Sequence, residues 1–88
     1  MKELKAKNLG DARKMCLVTL QDIGDVAGCT AVNIYKFEKA VEANEPMTPA
    51  RKRIGKAYLK SLPECAGKEE ARRLWGEYCR KQFEDVIE

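Results

Sequence analysis

The sequence predicts an all-α protein, a single domain of five helices of which the last is the longest. Two observations carry that expectation. No segment alternates apolar and polar residues between tight Asn-Gly or Asp-Gly turns, so strand signals are nearly absent. Hydroxyl caps at Thr19, Thr30 and Thr48 each precede a stretch with helical spacing, and breaker residues separate those stretches. A chain of 88 residues with 44% hydrophobic and 35% charged side chains suits one compact domain with a modest core.

The first helix is expected from about Asn8 to Cys16. Leu9, Ala12, Arg13 and Cys16 fall at helical spacing with Leu17 and Val18 continuing the buried side, while Asp11 and Lys14 take the solvent side. Thr19 caps the second helix, with Asp22 three residues on as its acidic partner, and Gly28 ends it. Thr30 caps the third, Ala31 to Lys39, which turns Ile34 and Phe37 toward a core. Ala40 to Met47 contains Asn44 and Pro46 and reads as a connection. Thr48-Pro49 is a cap followed by proline in the first helical position and starts a fourth helix reaching about Leu62. Pro63 and Gly67 bound the next break. The fifth helix, about Lys68 to Ile87, aligns Ala71, Leu74, Trp75, Tyr78, Cys79, Phe83, Val86 and Ile87 on one stripe.

The informative stretch is Thr19 to Ala40. Two short helices that cross at a wide angle need a small residue at their closest approach, a turn residue between them and apolar anchors on both. Gly24 and Gly28 fill the first two roles. Ile23, Ala27, Ile34 and Phe37 are the anchors, and Cys29 is placed to pack between the helices. With Thr19, Ile23, Gly24, Gly28, Cys29, Thr30, Ile34, Phe37 and Glu38 in these positions, residues 8 to 62 resemble the phage-repressor and Cro family of helix-turn-helix domains, also called Xre-like. The departures are Gly24 where alanine is commoner, Leu20 where a phosphate-binding glutamine is frequent, and Ala40 where glycine often ends the helix.

The resemblance implies a lambda-repressor-like five-helix domain that binds double-stranded DNA with its second motif helix in the major groove. Ala31, Val32, Tyr35 and Lys36 are then the outward positions. Ala31 and Val32 suit thymine methyl groups, Lys36 suits guanine O6 and N7, and Tyr35 suits a base or a phosphate. Thr30, Asn33, Lys39 and Gln21, the last standing in for the glutamine missing at Leu20, complete the DNA-binding set on this motif. Arg51, Lys52 and Arg53, with Lys56 beyond, are read either as phosphate contacts or as a solvated helical face. Lys2, Lys5 and Lys7 form a basic arm that would reach a groove.

The stripe of the fifth helix has two readings, completion of its own subunit's core or a homodimer interface through Leu74, Trp75, Tyr78 and Phe83. A two-fold dimer would set two reading helices about one DNA turn apart. The function expected is that of a transcriptional regulator, a repressor of a phage or mobile element by analogy. The alternative is a protein-interaction module, such as an antitoxin or adaptor, whose C-terminal helix binds a toxin; an antirepressor is a further possible protein partner.

Other features narrow the field. Residues 1 to 60 carry 12 Lys/Arg against 7 Asp/Glu, and residues 61 to 88 carry 5 against 7, so the basic surplus lies toward the N-terminus. Without histidine, metal-ligand spacing or a glycine-rich phosphate loop, neither an enzyme nor a cofactor or metal site is expected. No apolar run approaches the roughly 20 residues of a membrane span and no secretory signal is visible, so a cytoplasmic location is expected. Cys16, Cys29, Cys65 and Cys79 form no Cys-x-x-Cys pair. They read as reduced packing residues, with a redox or intermolecular disulfide switch as the alternative.

Overall fold

The computed structural model describes the backbone of residues 5–87 and the side chains of residues 5–82. Five helices follow one another: α1 Leu9–Met15, α2 Leu20–Ala27, α3 Ala31–Glu42, α4 Pro49–Ser61 and α5 Ala66–Ile87. Among the described residues there is no strand, and no helix is long and apolar enough to cross a membrane. α1 packs chiefly on α5, and α2 lies against both α3 and α4.

The caps form as their residue types require. Asn8, Thr19, Thr30 and Thr48 each accept a hydrogen bond from the backbone N–H three residues on, satisfying a donor that the helix itself leaves free. At Thr19 the box is reciprocal, because the Asp22 carboxylate accepts from the Thr19 N–H at 3.0 Å. That bond draws the Asp22 carboxyl below its usual range. Gly28 ends α2 with φ 75, a left-handed conformation that glycine adopts without the crowding a Cβ brings.

Two helices end in the same doubled hydrogen-bond pattern but without glycine. After α1, Leu17 takes φ 60, its N–H donates to the Lys14 carbonyl at 3.0 Å, and the Val18 N–H donates to Arg13 at 3.3 Å; this turn leaves Leu17 exposed instead of continuing the buried side as expected. After α3, Asn44 takes φ 58, its N–H donates to Val41 at 3.0 Å, and Glu45 donates to Ala40 at 2.9 Å. α3 therefore continues beyond the expected end at Lys39. Ala40 is buried and Val41 packs on the core, so the apolar row started by Ile34 and Phe37 extends one further turn before Asn44 stops it. α5 also begins two residues before Lys68, which puts Gly67 inside its first turn.

The core gathers Leu9, Ala12, Ile23, Ala27, Ile34, Phe37, Tyr58, Leu62 and Ala71. Two close approaches hold it. A Cβ on Gly24 would stand 2.6 Å from the Cys29 carbonyl oxygen, so α2 meets the start of α3 backbone to backbone. A Cβ on Gly67 would stand 2.5 Å from the Ala12 carbonyl oxygen, and α1 meets α5 in the same way.

A buried polar cluster ties three helices together. Arg13 Nε donates to Glu38 Oε2 at 2.7 Å, and its Nη1 donates to the Val18 carbonyl at 3.1 Å. The Tyr58 hydroxyl hydrogen-bonds the same Glu38 oxygen and lies 2.9 Å from the Leu9 carbonyl. Burial, then the neighbouring Glu38 carboxylate, pushes the Tyr58 hydroxyl far above its ordinary pKa. Every buried side-chain nitrogen and oxygen among the described residues has a partner, as a low-dielectric interior demands.

Candidate functional site

α3 is amphipathic, and its outward side carries exposed apolar and basic side chains together. Ile34, Phe37 and Glu38 face inward. Val32 is 60% exposed and Tyr35 49%, while Asn33, Lys36 and Lys39 are exposed and Ala31 half-buried. Thr30 is committed to its cap: its Oγ1 accepts from the Asn33 N–H at 3.2 Å, which leaves the Asn33 side chain outside the capping bond. Lys39 sits 5.4 Å from the Tyr35 ring centre and 3.6 Å from Glu42, so part of its charge is met within the helix.

Beside this ridge runs an open groove between α3 and α4. Asn33, Lys36 and Phe37 line one wall and Thr48, Arg51 and Arg53 the other. The lining contains three cationic side chains and no carboxylate. Four of the residues expected to contact DNA are thereby brought together from two helices: Asn33, Lys36, Arg51 and Arg53.

The basic run on α4 does not act as one patch. Successive helical residues are turned about 100° from each other, so three adjacent cations cannot share a face. Arg51 turns back on the α3–α4 loop, where Nη2 pairs with Glu45 at 3.1 Å and Nη1 donates to the Pro46 carbonyl. Arg53 Nη1 donates to the Ala27 carbonyl at 3.1 Å, placing a cation at the negative end of α2. Lys52 is exposed and lies near Cys79 of α5, away from α3. Of the run read either as phosphate contacts or as a solvated face, Arg51 and Arg53 line the groove while bracing the loop and α2, and Lys52 is exposed and not among the lining residues.

On α2, Gln21 is exposed, with Nε2 donating to Asp25 Oδ1 at 2.8 Å. Leu20 is half-buried against the core, consistent with its being an anchor rather than a contact.

Of the residues expected at a dimer interface, Tyr78 is the one the structure buries within its own subunit. Tyr78 is only 3% exposed, and its hydroxyl donates to the Glu45 carbonyl at 2.7 Å. Trp75 packs between Phe37, at 5.6 Å, and Tyr78, at 5.4 Å, and its indole covers Gly55. Leu74 packs against the same core. A stripe at helical spacing looks alike in a core and in an interface; here the aromatic stack against Phe37 commits Tyr78 to the core, while Leu74 and Trp75 stay half-buried. The side chains of Phe83, Val86 and Ile87, like Lys2, lie outside the described residues.

Comparison with known protein families, with curated proteins and with solved structures gives no match.

Proposed function

We propose that this chain is a sequence-specific double-stranded DNA-binding regulator that lays α3 in the major groove as the second helix of a helix-turn-helix. The observation that carries the reading is the outward side of α3: Val32, Tyr35 and Lys36 stand proud of the surface beside a groove lined by cations and no carboxylate. Exposed Val32 is costly to hydrate and chemically suited to a thymine methyl, while Lys36 donates to guanine acceptors. Arg51 and Arg53 line the groove and have N–H donors beyond their intramolecular bonds, so both suit backbone phosphates. With so few hydrogen-bonding side chains on the ridge, methyl contacts and DNA shape carry most of the specificity.

In the alternative reading α5 binds another protein; Ala71 and Tyr78 are buried in the chain's own core, and Leu74 and Trp75 are half-buried against it. The test is selection from a random duplex pool, followed by titration of the selected site at two salt concentrations. Lys36→Ala and Val32→Asp each weaken specific binding by more than about 1 kcal/mol, the scale of a lost base contact, while helix content stays native. Binding of both variants at native strength, or no binding by the native chain at low salt, overturns the proposal.

A further inference from the structure

Cys16 and Cys65 are 49 residues apart in the chain and 2.6 Å apart, sulfur to sulfur. The approach depends on Gly67, since a Cβ there would stand 2.6 Å from Cys16 Sγ as well as against the Ala12 carbonyl. The two thiols have opposite surroundings. Cys16 is buried at the end of α1, and burial, then the bond to Cys65, pushes its thiol up to about 11. Cys65 is half-buried and directly precedes the 22-residue α5, with its carbonyl accepting from the N–H groups of Lys68 and Glu69.

The Cys65 thiol is held below its ordinary range first by the hydrogen bond with Cys16, then by the backbone N–H groups of Lys68 and Gly67. Partial burial and the Glu64 carboxylate oppose the shift, and Glu64 is itself paired with Lys68 at 3.0 Å. The arrangement sets the thiol of lowered pKa at a helix N-terminus, beside a thiol that burial keeps protonated.

We propose that Cys65 and Cys16 form a thiol–disulfide exchange site, with Cys65 attacking and Cys16 resolving, whose oxidant is a small-molecule disulfide. The Cys65 thiolate attacks one sulfur of the oxidant, forms a mixed disulfide and expels the other half as a thiolate. Cys16 then gives up its proton to that thiolate, attacks the Cys65 sulfur and expels the second half, which takes a proton from solvent. The protein loses two electrons and two protons, and one disulfide becomes two thiols. The product bond staples the end of α1 to the start of α5, away from the outward side of α3, so the inference stands apart from the DNA-binding reading. Cys29, in the α2–α3 turn, and Cys79, whose thiol is raised by burial, take no part.

The probe is oxidised glutathione added to the full chain at neutral pH. The native protein loses two hydrogens by intact mass, and peptide mapping joins Cys16 to Cys65. Closing so long a loop raises its melting midpoint by more than about 5 °C. Cys16→Ser stops at a single glutathione adduct on Cys65, and Cys65→Ser gives neither product. Because a serine at buried Cys16 can disturb packing, alkylation of the native chain supplies a second readout, with Cys65 modified about tenfold faster than Cys79 at neutral pH. A link through Cys29 or Cys79, a native chain that halts at the mixed disulfide, or equal alkylation rates overturns the proposal.

Discussion

Two joints in this molecule are built alike, and only one was readable in advance. α2 meets α3 at Gly24 and α1 meets α5 at Gly67, each with a carbonyl oxygen where a Cβ would stand. At the first joint the touching residues are five apart in sequence, and the glycine, the turn and the apolar anchors sit together in one short pattern. At the second, Gly67 meets Ala12 and Cys16 from the other end of the chain, and nothing near Gly67 announces the contact. A glycine before a helix reads as a breaker; whether it is a point of closest packing depends on what the chain returns to it.

The α1 side of the remote joint also carries Arg13, and the largest expected effect lies in its cluster with Glu38 and Tyr58 on α3 and α4. Glu38→Ala leaves the Arg13 guanidinium buried and unpaired, a loss of about 3–5 kcal/mol of the kind seen when one partner of a buried pair is removed. Urea unfolding checks it; a cost near that of a surface pair would detach the cluster from the stability of the joint. Next comes a paired test of the two glycines. Gly67→Ala destabilises by about 2 kcal/mol or more, from overpacking against a carbonyl, a sulfur and Met15. Gly24→Ala costs about 1 kcal/mol less, because a helix-interior alanine recovers roughly that much propensity. Equal losses would mean that the local joint is as rigid as the remote one.

A graded effect follows from pH. The unfolded chain releases the Tyr58 proton near pH 10, whereas burial and Glu38 keep it bound in the folded chain. Stability contributed by Tyr58 is therefore full below about pH 10 and falls above it, by up to about 1.4 kcal/mol per pH unit. Tyr58→Phe gives a shallower alkaline decline in melting midpoint than the native chain. The smallest effect is at Leu17, 91% exposed at φ 60, where glycine relieves left-handed strain but gains freedom in the unfolded chain. Leu17→Gly stabilises by about 0.5 kcal/mol in the same melts, the residue of those opposing terms.

What the sequence made legible was local. The caps at Thr19, Thr30 and Thr48 formed where the sequence set them, because a cap needs only its own next three residues. Arg13 fell on the buried row of α1 by spacing alone, but its partner Glu38 was 25 residues away and its purpose was hidden. The end of α3 was misplaced because Ala40 and Val41 carry a weak signal until Asn44 closes the helix. Of the candidate site, periodicity placed Asn33, Lys36 and Lys39 off the core, and the resemblance turned Val32 and Tyr35 outward; all five are exposed, while Ala31 is half-buried. The diversion of Arg51 to Glu45 and of Arg53 to Ala27 was not, since a run of cations does not say which carbonyl each will find.

The α3–α4 connection is held from α5. The Tyr78 hydroxyl bonds the Glu45 carbonyl, Gln82 Oε1 accepts from the Met47 N–H at 2.9 Å, and Gln82 Nε2 donates to Asn44 Oδ1 at 3.3 Å. A protease must draw a segment out of the fold before it can cut it, and this loop, though exposed and irregular, is laced down by a helix more than thirty residues further along. It should resist nicking in the intact chain, and a chain shortened ahead of Tyr78 should be cleaved there first, at the very end of the helix that carries Val32 and Lys36.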